Sequence, residues 1–402
     1  MVRRAGAFIL SLAVIGAVHA QQQQQGVDQK RIDEAIRKGV NYLNGAESSG
    51  WDQHINNCDE LVLLTLIHAD IPEGNAKLQD YLKRSLEAKM ERTYKVSLLA
   101  MSLEELDRVK YQPKIKECAQ FLVDNQCQNG QWSYGEATPF VNNTGVPTGG
   151  NKPVAVASAG KEPPAGEKQK PKVVHKVPVE KRRQGPPTGD NSNSQYAALG
   201  LRACWDAGIQ IPRETVLKPA KKWWQTSQLG GGKDKPDNSV ATSGGQVLAD
   251  PRGWSYVQND RAYSSMSAGA IGAVCIYDYM LGEDWKKDKI VAGGMGWLVK
   301  NYSVTENVGP CETGGQAPNE FLYYYLYALE RVGMLYDTPF VGNHDWYLDG
   351  ARVILNAQKP DGSWAESGPA TMRPTWDTCF AILFLKRATR PLVISTDRNK
   401  AR

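Results

Sequence analysis

Apolar residues along this chain fall into two alternating patterns. Six stretches are apolar on more than one face: "DELVLLTLIHADI" from Asp59, "YKVSLLAMSLEEL" from Tyr94, "SQYAALGLRACWDAGI" from Ser194, "SSMSAGAIGAVCIYDYML" from Ser264, "EFLYYYLYALERVGML" from Glu320 and "WDTCFAILFLKRA" from Trp376. A helix of that kind is buried on most sides. Between them run "KRIDEAIRKGVNYLN" from Lys30, "AKLQDYLKRSLEAK" from Ala76, "KIKECAQFLVDNQ" from Lys114, "RETVLKPAKKWWQTSQ" from Arg213, "KDKIVAGGMGWLVKNY" from Lys287 and "DWYLDGARVILNAQ" from Asp345. Here apolar residues recur at three- and four-residue steps with charged residues opposite, which predicts helices with one wet face.

Six repeats of amphipathic helix, link and buried helix predict an all-α fold in two concentric layers. Six such hairpins can close on themselves as an (α/α)6 toroid over residues 30–388. An open solenoid of hairpins is the competing arrangement. Neither end carries a distinct capping repeat, which favours closure.

The link itself repeats. "QCQNGQW" (Gln126, Gly130, Trp132) and "QKPDGSW" (Gln358, Gly362, Trp364) share one spacing at the end of an amphipathic helix. A glycine there can take the left-handed conformation that ends a helix. The Trp is a large flat anchor under the turn, and the Gln amide can bond exposed backbone groups. The motif therefore reads as structural. Degraded copies surround Trp51 and Trp254, the latter split from its Gln by a Gly-rich insertion over 229–245; the second and fifth repeats lack the Trp.

Residues 136–190 interrupt the pattern. They are rich in Pro, Lys, Gly and Val, have no helical period, and are expected to form a long disordered insertion. That segment supplies +4 of the net charge of +5, so the rest of the chain gives no case for nucleic-acid binding. The insertion could meet an acidic polymer or serve only as a solvated loop. The N-terminus carries Arg3 and Arg4, an apolar stretch and then Val18-His19-Ala20, which reads as an export signal cleaved after Ala20. The apolar stretch is short for a membrane span. A polar segment over 21–29 follows, and 389–402 is expected as a loose tail. The expected location is secreted or periplasmic. The seven cysteines are too sparse for a disulfide framework, and no CxxC pair supports zinc.

The stretches "FLVDNQCQNGQWSYG", "GWSYVQNDRAYSSMSAGAIGAV" and "ILNAQKPDGSWAES…RPTWDTCFAILFLKRA" resemble the prenyltransferase and squalene-oxidase repeat family, the toroids of terpene cyclases and protein prenyltransferases. The chain looks like exported bacterial members of that superfamily. The resemblance implies a central cavity with chemistry near the N-termini of the inner helices. Those positions offer Asp59, Glu320 and Asp377 as candidate catalytic carboxylates, and Tyr196, Tyr263, Tyr323 and Trp376 as candidate ligand contacts. Acids there are also stabilised by the helix dipole, so capping is the alternative role.

The family's chemistries can be tried in turn. A squalene-cyclase-like enzyme needs an Asp-x-Asp-Asp cluster, and Asp377-Thr378-Cys379 offers one acid. A prenyltransferase-like zinc site would pair Asp377 and Cys379 with a histidine on the next inner helix; His68 lies far down its helix and His54 precedes it. "GPCETGGQ" around Cys311 departs from the Gly-Cys-Gly-Glu-Gln of thioester toroids. No cofactor and no metal are expected. The reading is a toroid that binds a small molecule, polymer or protein in its central cavity. The alternatives are a carbohydrate-active lyase or glycosidase using the cavity carboxylates, or a divergent terpenoid-type cyclase.

Overall fold

The computed structural model describes residues 27–50, 54–141, 170–229, 241–243, 246–248, 250–258, 260–309, 320–366 and 373–392. The export signal over 1–20, most of the polar segment, Trp51 and Cys311 lie outside the described residues.

Twelve α-helices occur among the described residues. The outer ones are α1 (Gln29–Gly45), α3 (Ala76–Glu87), α5 (Gln112–Asp124), α7 (Lys218–Ser227), α9 (Lys289–Lys300) and α11 (Trp346–Ala357). The inner ones are α2 (Asp59–His68), α4 (Thr93–Asp107), α6 (Asn191–Asp206), α8 (Ser264–Leu281), α10 (Leu322–Tyr336) and α12 (Pro374–Lys386). A π-helical turn, Arg213–Leu217, leads into α7. Each inner helix packs on the inner helices before and after it, and α12 packs on α2. The inner ring is therefore closed, and the fold is an all-α toroid of six hairpins. The α8 helix, without a charge until Asp278, buries all but one of its residues. The α1 helix buries only Ile32, Ala35, Ile36, Gly39, Val40 and Leu43, one stripe.

Four of the six outer helices take side-chain caps: Asp28, Asn75, Asp288 and Asp345 accept from backbone N–H groups of α1, α3, α9 and α11, while α5 and α7 begin with a proline in the first turn instead. Of the inner helices only α6 has such a cap, Asp190; α2, α4, α8, α10 and α12 have none. At α4, α8 and α10 a first N–H group is met instead from a neighbouring corner: Thr93 by Tyr134 O, Ser264 by Val308 O and Phe321 by Glu366.

The segment 136–190 corrects an expectation. Residues 136–141 and 170–190 are packed, and 142–169 lie outside the described residues. Residues 170–190 form a strap along α5. β1 (Val177–Pro178) pairs in parallel with β2 (Ile209–Gln210). Gln120 donates to the Glu180 carbonyl at 2.7 Å. The buried Asp124 carboxylate accepts the N–H groups of Arg182 (2.7 Å) and Arg183 (3.2 Å). Lys181 donates to Gln126 at 2.8 Å. Composition missed this because the strap buries little apolar surface of its own. Polar groups fixed on α5 supply its partners instead. Around the Gly-rich insertion, Leu229 N–H donates to Gly253 O at 2.9 Å, and β3 (Ala241–Ser243) pairs with β4 (Gln246–Leu248). A last small hairpin joins β5 (Phe340–Val341) to β6 (His344–Asp345). The expected tail starts in contact too, since Thr389 and Arg390 bond to Glu330 and Glu105.

Candidate functional site

The corners between outer and inner helices decide what reaches the rim. Three of them, at Trp132, Trp254 and Trp364, are built alike. Each indole is fully buried. Each indole N–H donates to a carbonyl of its own outer helix: Leu122 (2.7 Å), Trp224 (2.9 Å) and Ile354 (2.7 Å). Each Trp backbone N–H donates to a hydroxyl on the inner helix: Ser194, Ser267 and Thr378, at 2.9–3.0 Å. The Gln amides reach the next outer layer: Gln126 to Val216 O, Gln228 to Ile290 O, and Gln358 to Ala35 O, at 2.8–2.9 Å. The last of these fastens hairpin six to hairpin one. Gly130 (φ 94°) and Gly362 (φ 89°) lie in left-handed backbone. A Cβ on either would strike the carbonyl of Pro219 or Lys38 on the neighbouring outer helix.

Two residues beyond each Trp, the corners diverge. At the first two, a backbone carbonyl caps the preceding inner helix: Tyr134 O accepts from Thr93 N–H (2.7 Å), and Tyr256 O from Asn191 N–H (2.9 Å). At the third a carboxylate does that work: Glu366 Oε2 accepts from Phe321 N–H at 2.9 Å. Its other oxygen, Oε1, is buried and meets no hydrogen-bond partner among the described residues. Asp377, one residue before the corner hydroxyl, accepts the Glu366 N–H at 3.1 Å. The same position holds Asn193 in α6 and Met266 in α8.

Glu320, Glu366 and Asp377 are thus gathered between the first turns of α10 and α12, each less than a tenth exposed. Burial pushes the Asp377 carboxyl well above the carboxylate range, and the Glu366 charge pushes it the same way. Burial raises Glu366 to about 7, against the pull of the Phe321 and Leu322 amides. Glu320 is raised by burial, with Arg373 pulling it down. Tyr323 is raised by burial and then by the charges of Asp377 and Glu366, so it stands beside both. Among the described residues no group of three or more His, Cys, Asp or Glu is arranged to hold a metal ion.

The remaining sequence candidates lie elsewhere. Asp59 accepts from Ser48 and pairs with Arg84 at 3.4 Å. No contact joins it to Glu320 or Asp377 among the described residues. The N-cap positions of α2 and α12 are Cys58 and Arg373, so neither Asp59 nor Asp377 caps its own helix. Trp376 donates to Ser49 O at 2.9 Å, and Thr375 to Glu47 O at 3.3 Å, bolting the 47–49 loop onto α12. Tyr263 occupies the N-cap position of α8, its N–H bonded to Trp254 O at 3.2 Å. Tyr196 is fully buried at the axis, stacked on Tyr94 with centroids 3.7 Å apart. His68 closes the far end of α2, where burial lowers it to about 4, away from Asp377 in the first turn of α12. The six described cysteines are buried and unpaired.

Sequence reasoning missed Glu366 and Arg331. Glu366 follows a corner Trp by two residues, a position whose role shows only when the three corners are superposed. Arg331 was visible as one of two charges inside "YYYLYALERVGML", seven residues after Tyr324 and four after Tyr327, on one helix face.

No family model and no curated protein matches this chain. Among solved structures it is similar to a variant of the type II terpene cyclase MstE from Scytonema, in complex with its substrate geranylgeranyl dihydroxybenzoate. The identity is 12% and the TM-score 0.30, over 89% of this chain and 97% of that one. The closed ring of inner helices establishes the toroid independently of that likeness. None of the helices described is long and apolar enough to cross a membrane.

Proposed function

We propose that this protein is an exported binding toroid that takes a polar, hydroxyl-bearing ligand at the rim formed by α10 and α12. Glu366, Asp377 and Glu320 are its hydrogen-bonding groups, and Tyr323 is the aromatic wall. The observation that carries this reading is the surplus at corner six. It has the same bonds as its two sister corners and adds a carboxyl at two positions where they have none; the buried acid of the Trp132 corner, Asp190, is bonded through both oxygens to Asn193, whereas Glu366 keeps one oxygen unused. Burying a carboxyl is unfavourable unless it is neutralised or fully bonded, and Glu366 Oε1 is neither donor nor acceptor to any described group. A ligand hydroxyl fits that oxygen. The export-signal reading of residues 1–20 supports a place outside the cytoplasm. Asp59, Tyr263 and Trp376 serve the ring.

The same acids give a second reading, a carbohydrate-active enzyme. It is favoured by one observation: burial holds Glu366 at about 7, so a protonated carboxyl is present near neutral pH, the state of a general acid. Protonating an alkene needs a strong acid, and burial here makes both carboxyls weak ones, which speaks against cyclisation.

The test substitutes Glu366→Gln, Asp377→Asn, Glu320→Gln and Asp59→Asn in turn. Each is read by thermal shift against a panel of neutral oligosaccharides and by release of reducing ends. A binder gives a rise in Tm with a sugar, lost in the rim variants and kept in Asp59→Asn, with no turnover. An enzyme releases reducing ends and loses that rate by orders of magnitude at two of the rim acids. No response to any sugar, in wild type or variant, sinks both readings.

A further inference from the structure

The axis of the toroid is not a simple apolar core. Arg331, on α10, is 2% exposed. Its guanidinium lies over the rings of Tyr327 (4.5 Å) and Tyr196 (5.5 Å). Nη2 donates to Gln195 Oε1 at 2.7 Å, and Gln195 is fixed by its own amide, which donates to the Tyr324 hydroxyl at 2.7 Å. That hydroxyl also bonds Ser192 at 3.0 Å. Nη1 is buried and meets no hydrogen-bond partner among the described residues. The Tyr196 hydroxyl faces the same guanidinium and Tyr94 without completing a hydrogen bond to either.

A buried guanidinium is costly unless paired with an anion. The groups that face Arg331 are neutral phenols, Tyr196, Tyr327, Tyr324 and Tyr94, each held protonated by burial. The adjacent carboxyl, Glu330, feels the Arg331 charge but forms no ion pair with it among the described residues. It accepts the Thr389 N–H at 2.9 Å and the Thr389 hydroxyl at 2.6 Å, and burial raises it to about 7, leaving it largely neutral below that pH. So a cation, one unused N–H and one unused O–H converge from α6 and α10. Tyr327 also lines a separate cavity of about 50 Å³ at the C-terminal end of the ring, whose wall carries the acids Glu104, Glu105 and Asp206 and which neither Arg331 nor Tyr196 lines.

We infer that the axis holds a small oxyanion, a carboxylate or inorganic phosphate, with one oxygen on Arg331 Nη1 and another on the Tyr196 hydroxyl. Two donors set side by side suit a planar or tetrahedral anion, where charge-assisted bonds are strong. A halide offers one centre and fits worse. This site uses no residue of the α10–α12 rim, so it stands or falls apart from the function proposed above.

The experiment titrates the full chain with sodium acetate, octanoate and phosphate, with chloride held constant, by calorimetry and by Tm. At least one oxyanion should bind more tightly than about 1 mM and raise Tm with concentration. Tyr196→Phe removes only an unbonded hydroxyl. It should keep the anion-free Tm of the wild type and weaken binding about tenfold. Arg331→Lys should weaken it further, and Asp377→Asn should bind the anion like the wild type. A preference for acetate and octanoate over phosphate identifies a carboxylate ligand, and the reverse a phosphate. The inference is overturned if no oxyanion binds at about 10 mM, or if Tyr196→Phe binds with unchanged affinity; that variant decides the matter even should Arg331→Lys fail to fold.

Discussion

The corner at Trp132 and the corner at Trp364 are the same device with different contents. Both bury an indole against their own outer helix, hand the Trp N–H to an inner-helix hydroxyl, and send a Gln amide to the next outer helix. Beyond that they part. The first spends a backbone carbonyl, Tyr134 O, on capping α4, and frees the Tyr134 ring to stack on His54 at 4.3 Å. The second uses the Glu366 side chain for the equivalent cap on α10 and places Asp377 behind it. The difference separates what the turn requires from what it merely permits. Gln, Gly, Trp and the hydroxyl are required. The carboxyl pair is not, since the sister corners cap the equivalent helix end with a backbone carbonyl.

If the shared parts are equivalent, removing them should cost alike. Trp132→Ala and Trp364→Ala should each lower stability by about 3–5 kcal/mol, measured by urea denaturation. A Trp364→Ala cost far below that of Trp132→Ala would break the equivalence. It would mean that the closing corner is held by other contacts, such as the Trp376 bolt to Ser49.

The unshared parts should differ in their response to pH. Glu366 and Asp377 have folded-state values above their ordinary 4.5 and 3.8. The native state therefore holds protons that the unfolded chain has released, and stability falls as pH rises. That contribution is whole below about pH 4 and is lost as pH climbs through about 7, where Glu366 ionises. Glu366→Gln should flatten this decline by an amount on the order of 2 kcal/mol between pH 4.5 and 7.5. The matching change at the other corner, Tyr134→Phe, should leave the slope as it is. Equal slopes in wild type and Glu366→Gln would show that the carboxyl is ionised throughout and the rim pair is an ordinary cap.

The rings were legible in the sequence, and the rim was only half so. Helix burial is a property of local pattern: "AIGAVCIYDYML" without a charge before Asp278 reads as an inner helix, and six such segments allow a closed ring, which the packing of α12 on α2 decides against an open solenoid. The corner Trp and Gly are local too. What could not be read was pairing across hairpins. Nothing near Glu320 or Asp377 in sequence announces Glu366 as their third member, and nothing near Asp59 says that it turns to Arg84. The strap over 170–190 failed to show for the same reason. Its bonds are to Asp124, Gln120 and Gln126, whose side chains carry no sign of waiting for an extended chain.

The smallest expected effect sharpens the comparison most. Gln126 and Gln358 make the same two amide bonds, to the glycine carbonyl of their own motif and to the next outer helix. Each should cost about 1 kcal/mol on change to Ala. Gln126 carries an added load, because its Oε1 also accepts from Lys181 of the strap at 2.8 Å. Lys181 is half-buried, and burial lowers its pKa, so the bond is one to a partly desolvated ammonium. Gln126→Ala should therefore exceed Gln358→Ala by a few tenths of a kcal/mol. The excess should vanish in the background of Lys181→Met, as a double-mutant cycle on thermal stability would reveal. An excess that survives Lys181→Met would place the extra load on the corner itself, and the two corners would not be the same device.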